Sequence, residues 1–296
     1  QTHTPGPLCT LARMGASQSA AADRLSRQMD REIEEDERTW AMTGIPMGRR
    51  GDIWPRLLGA KSLRDAQPPG YFEALRALGH KEDRLEIAAV ASLRCIAKDV
   101  FNRRLADPAA WADSTNAAAR AQSSDPSAFL DTLATVLNAF AMHHPRLGYL
   151  PSIGYIAAKL LLAVQDVELT FWCLVAIVEG ERWFALSTMS ASRKDTLGEL
   201  AAFASIVEEH LPRITRHLRE SLGEFFAGQQ HILMFLGAGS WIGTLFSWHP
   251  VRQAQLSELG LRCFDACCVH GLDAAHAIAV ELLAAAESVR PRAAHS

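Results

Sequence analysis

The sequence has no basic excess: 30 lysines and arginines stand against 33 aspartates and glutamates, a net charge of −3. That leaves no electrostatic footprint for nucleic acid and no polybasic tether for an anionic membrane. A long apolar run is missing too. A long uncharged stretch, His231 to Trp248, is interrupted by Gly237, Gly239 and Gly243. It does not supply the roughly 20 residues of a spanning helix, so two buried helices are predicted there and no transmembrane segment. No secretory signal is read at the start, where apolar residues are scattered among Pro, Gly and Ser. Period-two alternation and internal repeats are absent, which argues against sheet, solenoid and propeller folds. Nor is there a Gly-rich phosphate loop or a Ser/His/Asp or Cys/His set of catalytic spacing.

Cysteine is sparse and unpatterned. Of Cys9, Cys95, Cys173, Cys263, Cys267 and Cys268, all but Cys9 fall on apolar helix faces. They read as small core residues of a protein in a reducing, intracellular compartment rather than a disulfide framework. Cys263, Cys267 and His270 share one helix face, but no second Cys/His pair accompanies them, so buried thiols are the better reading. The His143-His144 pair reads as a polar helix end before Pro145. No metal and no cofactor is expected.

What is present is helical spacing. At 49% hydrophobic, the chain can build a core for one large domain or two modest lobes. The centre is residues 125–180. Asp125 can cap a helix that Pro126 opens. Phe129, Leu130, Leu133, Val136, Leu137 and Phe140 then recur at helical spacing. Pro151 opens a second helix with the stripe Ile153, Ile156, Ala157, Leu160, Leu161 and Val164. Asp166 caps a third, apolar nearly all round from Leu169 to Val178 and ending at Gly180. A helix apolar on every side belongs inside, with others packed around it.

Around that core, residues 1–22 are rich in Thr, Pro, Gly, Ser and Ala and are expected to be flexible. The opening Gln1 suggests a processed or partial product. Residues 23–41 predict a charged helix, either a solvated face or a docking segment for another chain. Residues 61–83, with Pro68-Pro69-Gly70, read as a polar connector, 84–105 as a helix and 106–124 as a surface loop with a short helical piece. Beyond Gly180, helices are predicted at about 181–189, 195–209, 211–226, 228–237, 239–248, 252–269 and 273–288.

Four segments in order resemble the TBC domain, the all-helical, two-lobed domain of GTPase-activating proteins for Rab-type GTPases. Gly44-Ile45-Pro46 is followed by Arg50 four positions after the proline and Trp54 four later. The central triplet carries Gly148-Tyr149 and Phe171-Trp172-Cys173. Trp241 to Pro250, with Leu245-Phe246, is similar to the family's Trp…Leu-Phe…Pro segment, and Phe264-Asp265 stands where a Trp-Asp is usual. The resemblance spans about residues 42–290, with lobes expected at 42–150 and 151–290.

The resemblance also implies a chemistry. An I-x-x-D-x-x-R motif would give an arginine that neutralises transition-state charge on the phosphoryl group, and a G-Y-x-Q motif a glutamine that orients water. Here Ile96 and Asp99 fit, but the arginine position is Asn102, with Arg103 one residue on. One residue is about 100° of helix rotation, enough to aim the side chain elsewhere. The glutamine position is Pro151, which has no side-chain amide. The domain is therefore expected to be catalytically impaired and to bind a small GTPase or another protein. The alternatives are a structural subunit of a larger assembly, or an active stimulator using Arg103 as a displaced finger. Any membrane or cytoskeletal association would run through a partner.

Overall fold

In the computed structural model, the described residues are 39–40, 43–82, 126–145, 147, 151–180, 193–227, 240–247 and 258–289. A short 3-10 turn, Met47–Arg49, leads into α1 (Arg50–Leu57), α2 (Ala60–Asp65) and α3 (Tyr71–Glu82). Then come α4 (Pro126–His143), α5 (Pro151–Val164) and α6 (Val167–Glu179). They are followed by α7 (Arg193–His210), α8 (Pro212–Ala227), α9 (Ser240–Gly243), α10 (Glu258–His270) and α11 (Leu272–Val289). No strand occurs among the described residues.

The chain divides into two units, residues 1–43 and 44–296. Of the first, Thr39, Trp40 and Thr43 are described, all helical. The rest of the predicted charged helix and the segment 1–22 lie outside the described residues, as do the helices predicted at 84–105, 181–189 and 228–237. No helix among the described residues is long and apolar enough to cross a membrane.

The triplet at 125–180 forms as its spacing requires. Proline opens α4 and α5, and Asp166 Oδ1 accepts from Leu169 N at 2.7 Å to cap α6, satisfying one of the donors a helix start leaves free. Every residue from Thr170 to Val178 is buried. A helix of 13 residues cannot hide all its sides against one neighbour, and α6 accordingly packs on α1, α2, α4 and α5. The core is the space around it. Phe129, Leu133, Val136, Leu137 and Phe140 from α4, with Ile153, Ile156, Ala157, Leu160 and Leu161 from α5, fill it.

Two expectations need correction. Residues 61–83 are not a connector: they hold all but one residue of α2 and the whole of α3. Their polar composition hides short amphipathic helices that bury little beyond Ala60, Phe72 and Leu75. Pro68 to Gly70 is only the turn between them, with Tyr71 N donating to Pro68 O at 3.1 Å. Phe72 reaches the central helix, its ring 5.2 Å from that of Phe171. The helix predicted at 239–248 stops after α9. Leu245 and Phe246 turn left-handed (φ 49° and 56°), and Phe246 N donates back to Trp241 O at 2.7 Å. That backbone is unfavourable for residues with a Cβ, yet it buries both side chains. Tertiary burial overrides local preference here.

Candidate functional site

The residues singled out by spacing around Gly44–Trp54 converge on one carboxylate. Gly44, at φ 85°, has the left-handed backbone glycine tolerates, and a Cβ there would meet the Arg262 side chain at 2.9 Å. Pro46 is exposed and its carbonyl accepts from Arg49 N at 2.9 Å, closing the turn that aims the chain into α1. Arg50 and Trp54 lie one helical turn apart, so their side chains leave α1 on the same side.

Both reach Asp265 on α10. Asp265 Oδ2 accepts from Arg50 Nη2 at 2.7 Å and from Ile45 N at 2.9 Å. Oδ1 accepts from Arg50 Nε at 3.0 Å and Trp54 Nε1 at 2.8 Å. The ion pair is 4% and 1% exposed on its two sides. Trp54 also packs on Phe264, ring centroids 4.6 Å apart. A buried charge pair is tolerated when its remaining hydrogen-bonding capacity is met, and Asp265 meets it with hydrogen bonds from three residues. The arrangement fastens the start of the helical unit to α10, more than 200 residues away in sequence.

A second buried charge sits beside it. Lys159 on α5 donates to Phe246 O and Gly260 O, each at 3.1 Å, and lies 5.0 Å from the centroid of the Phe264 ring. Burial lowers its pKa to about 8, against opposing contributions from Cys263, Cys267, Asp265 and Cys268. The lysine thus holds the carbonyl of the left-handed turn after α9, which positions Phe246; Trp241, in α9, is half-buried. Sequence reasoning missed Lys159, although a lone cation inside the apolar run from Ile153 to Val164 was the signal. Gly51 completes this region: a Cβ there would lie 2.5 Å from Ala163 O, so α1 meets the end of α5 backbone to backbone.

The positions with catalytic associations fall differently. Pro151 is the first residue of α5. Gly148 and Tyr149 lie outside the described residues, and so do Ile96, Asp99, Asn102 and Arg103.

Of a third cluster the sequence marked the His143-His144 pair but not its third member, Glu179. At the last residue of α4 and the next, His143 and His144 face Glu179, the last residue of α6. Tyr71 OH is 2.9 Å from His143 Nδ1. Burial and the neighbouring His143 push the His144 pKa down, partly offset by Glu179. On the face that carries Cys263, Cys267 and His270, His270 is exposed, and burial raises the pKa of both thiols. Cys173, Cys263, Cys267 and Cys268 are all free and buried.

The model of the Rab-GTPase-TBC domain matches residues 48–287, the span that holds Arg50, Trp54 and Asp265. The chain belongs to this family. Mouse TBC1 domain family member 2A is 29% identical over 227 residues, 75% of this chain and 20% of that protein. The chain therefore spans about a fifth of that relative. Human growth hormone-regulated TBC protein 1 is 31% identical over 136 residues, 46% of this chain and 34% of that protein. Among solved structures, the Chlamydomonas flagellar RabGAP TBC domain superposes with a TM-score of 0.59 at 19% identity, covering 92% of this chain and 81% of that one. At that identity the likeness is one of fold. The all-helical TBC fold thus has support from the sequence family and from the three-dimensional match.

Proposed function

We propose that this TBC domain engages a GTP-loaded Rab-type GTPase while adding little to the rate of hydrolysis. The observation that carries this reading is the residue pair at the two finger positions: Asn102 in place of the arginine and Pro151 in place of the glutamine. A trans arginine is worth roughly 10³–10⁵ in rate, about 4–7 kcal/mol of barrier. Asparagine carries no charge to offset the transition state. Pro151 opens α5, a role that suits a residue without an N–H and offers no amide to a water. Among the described residues the Asp265 junction and the α6 core are in place, which supports a recognition role without the chemistry. We read the setting as intracellular, consistent with four free, buried cysteines.

Two measurements test this. The first is binding of a panel of Rab-type GTPases, each loaded with a non-hydrolysable GTP analogue, to the purified chain. The second is single-turnover GTP hydrolysis with and without it. Binding with hydrolysis accelerated less than about tenfold supports the proposal. Strong acceleration that disappears in Arg103→Ala replaces it with a displaced-finger activator. Absence of binding across the panel favours the other role, a structural subunit whose charged segment 23–41 docks on neighbours.

A further inference from the structure

We propose that His143, His144 and Glu179 form a binding site for a divalent transition-metal ion of the zinc type. The inference is independent of whether the domain acts on a GTPase. The two imidazole nitrogens and a carboxylate oxygen that would bind the ion lie within 4.8 Å of one another. His143 Nε2 is 3.2 Å and His144 Nε2 3.0 Å from the same atom, Glu179 Oε1. A tetrahedral zinc ion with bonds of about 2.0–2.1 Å sets its donors roughly 3.3 Å apart, so these two edges need only small side-chain rotations to admit one.

The cluster is also unsatisfied as it stands. Two ring nitrogens face one oxygen, and His144 Nε2, shielded from solvent and 3.0 Å from Glu179 Oε1, is not aligned to hydrogen-bond it. A buried polar atom without a partner is costly, and an ion between the three groups removes that cost.

Their surroundings favour a cation. His143 and Glu179 end α4 and α6, where the helix dipole places partial negative charge. Tyr71 OH, 2.9 Å from His143 Nδ1, can accept the ring proton there and leave Nε2 free to ligate, the kind of supporting hydrogen bond metal-bound histidines have. The rings are held in place: His143 stands edge-on to Phe171 at 5.6 Å and to Trp172 at 6.1 Å, and His144 lies 5.0 Å from Phe140. Two nitrogens and one carboxylate select zinc-like ions over magnesium or calcium, which prefer oxygen. Three protein ligands leave a fourth position, which water can reach past Glu179, 43% exposed. Such an ion would tie the ends of α4 and α6 together.

The test uses the full chain, stripped of metal with a chelator. It is titrated with Zn²⁺ by calorimetry and with Co²⁺ by visible absorption. The expected result is one equivalent bound with a tetrahedral cobalt spectrum. Affinity should fall roughly 10–100-fold or more in Glu179→Gln and in His144→Gln, with a smaller loss in Tyr71→Phe. Glu179 is at the surface, so Glu179→Gln should keep the wild-type helical signal and serves as the decisive variant. No binding at zinc concentrations on the order of 100 μM overturns the proposal. So does unchanged affinity in Glu179→Gln, or a cobalt spectrum dominated by sulfur charge transfer, which would put the ion on the cysteines.

Discussion

Asp265 and Glu179 are both carboxylates facing nitrogen donors in one helical unit, yet their surroundings differ completely. Asp265 is sealed, and both of its oxygens are occupied by Arg50, Trp54 and the backbone N–H of Ile45. Glu179 is half open to water, and one of its oxygens is shared between two imidazoles, one of which hydrogen-bonds it and one of which does not. A polar group whose bonding capacity is spent holds a frame together. One with capacity left over can accept something that arrives later. That distinction separates the fastening of this TBC domain from its candidate ligand site, although residue type alone would group the two carboxylates.

The comparison can be broken most sharply with one chemical change made twice, carboxylate to amide. Asp265→Asn should cost about 3–5 kcal/mol, because it removes one partner of a buried ion pair and turns an amide donor toward Arg50. Urea denaturation reads this directly, and a loss below about 1 kcal/mol would mean that Asp265 does not carry the junction.

Next comes the pH dependence that Lys159 imposes. Its pKa falls from 10.5 unfolded to about 8 folded, so between those values the unfolded chain holds more protons. Lys159 should therefore contribute a rise in stability as pH goes from about 8 toward 10.5, by on the order of 3 kcal/mol over the full window. It is opposed at the alkaline end by the buried thiols, whose raised pKa keeps them protonated while the unfolded thiols ionise. Asp265, Cys263, Cys267 and Cys268 face the same lysine. Comparing denaturation curves at pH 7 and pH 9.5 for wild type and Lys159→Met isolates its share, and equal slopes in both would discard the assignment.

A smaller effect is expected at Gly51→Ala. The added methyl would meet Ala163 O at 2.5 Å and force α1 away from α5, a loss of about 1–3 kcal/mol. An unchanged midpoint would show that the two helices can part freely. Smallest of all is Glu179→Gln without metal. An exposed pair contributes roughly 0–1 kcal/mol, so its denaturation curve should overlay that of wild type within about 0.5 kcal/mol. A loss like that of Asp265→Asn would erase the contrast.

The core was legible because its signal is local. Thr170 to Val178 leaves no polar side for water, and Pro126, Pro151 and Asp166 mark helix starts within one turn of the residues they serve. The junction was half legible: the four-residue step from Arg50 to Trp54 says the two share a helix face, but not what they face. Segments 61–83 and 239–248 were misread for opposite reasons. In the first, few apolar residues suffice because α2 and α3 only cover the core. In the second, burial of Leu245 and Phe246 outweighs the helical preference of an apolar run.

By itself, then, the sequence determined the helical class, the central triplet, the family resemblance and the identities of Asn102 and Pro151. These depend on spacing and side-chain type, which are written along the chain. Only the tertiary structure decided that Asp265 would close on Arg50 and Trp54, that Lys159 would be buried against two carbonyls, and that Glu179 would meet His143 and His144. Each joins groups about 35 or more residues apart. The packing of one helix on another sets such meetings, and no periodicity within a single helix encodes them.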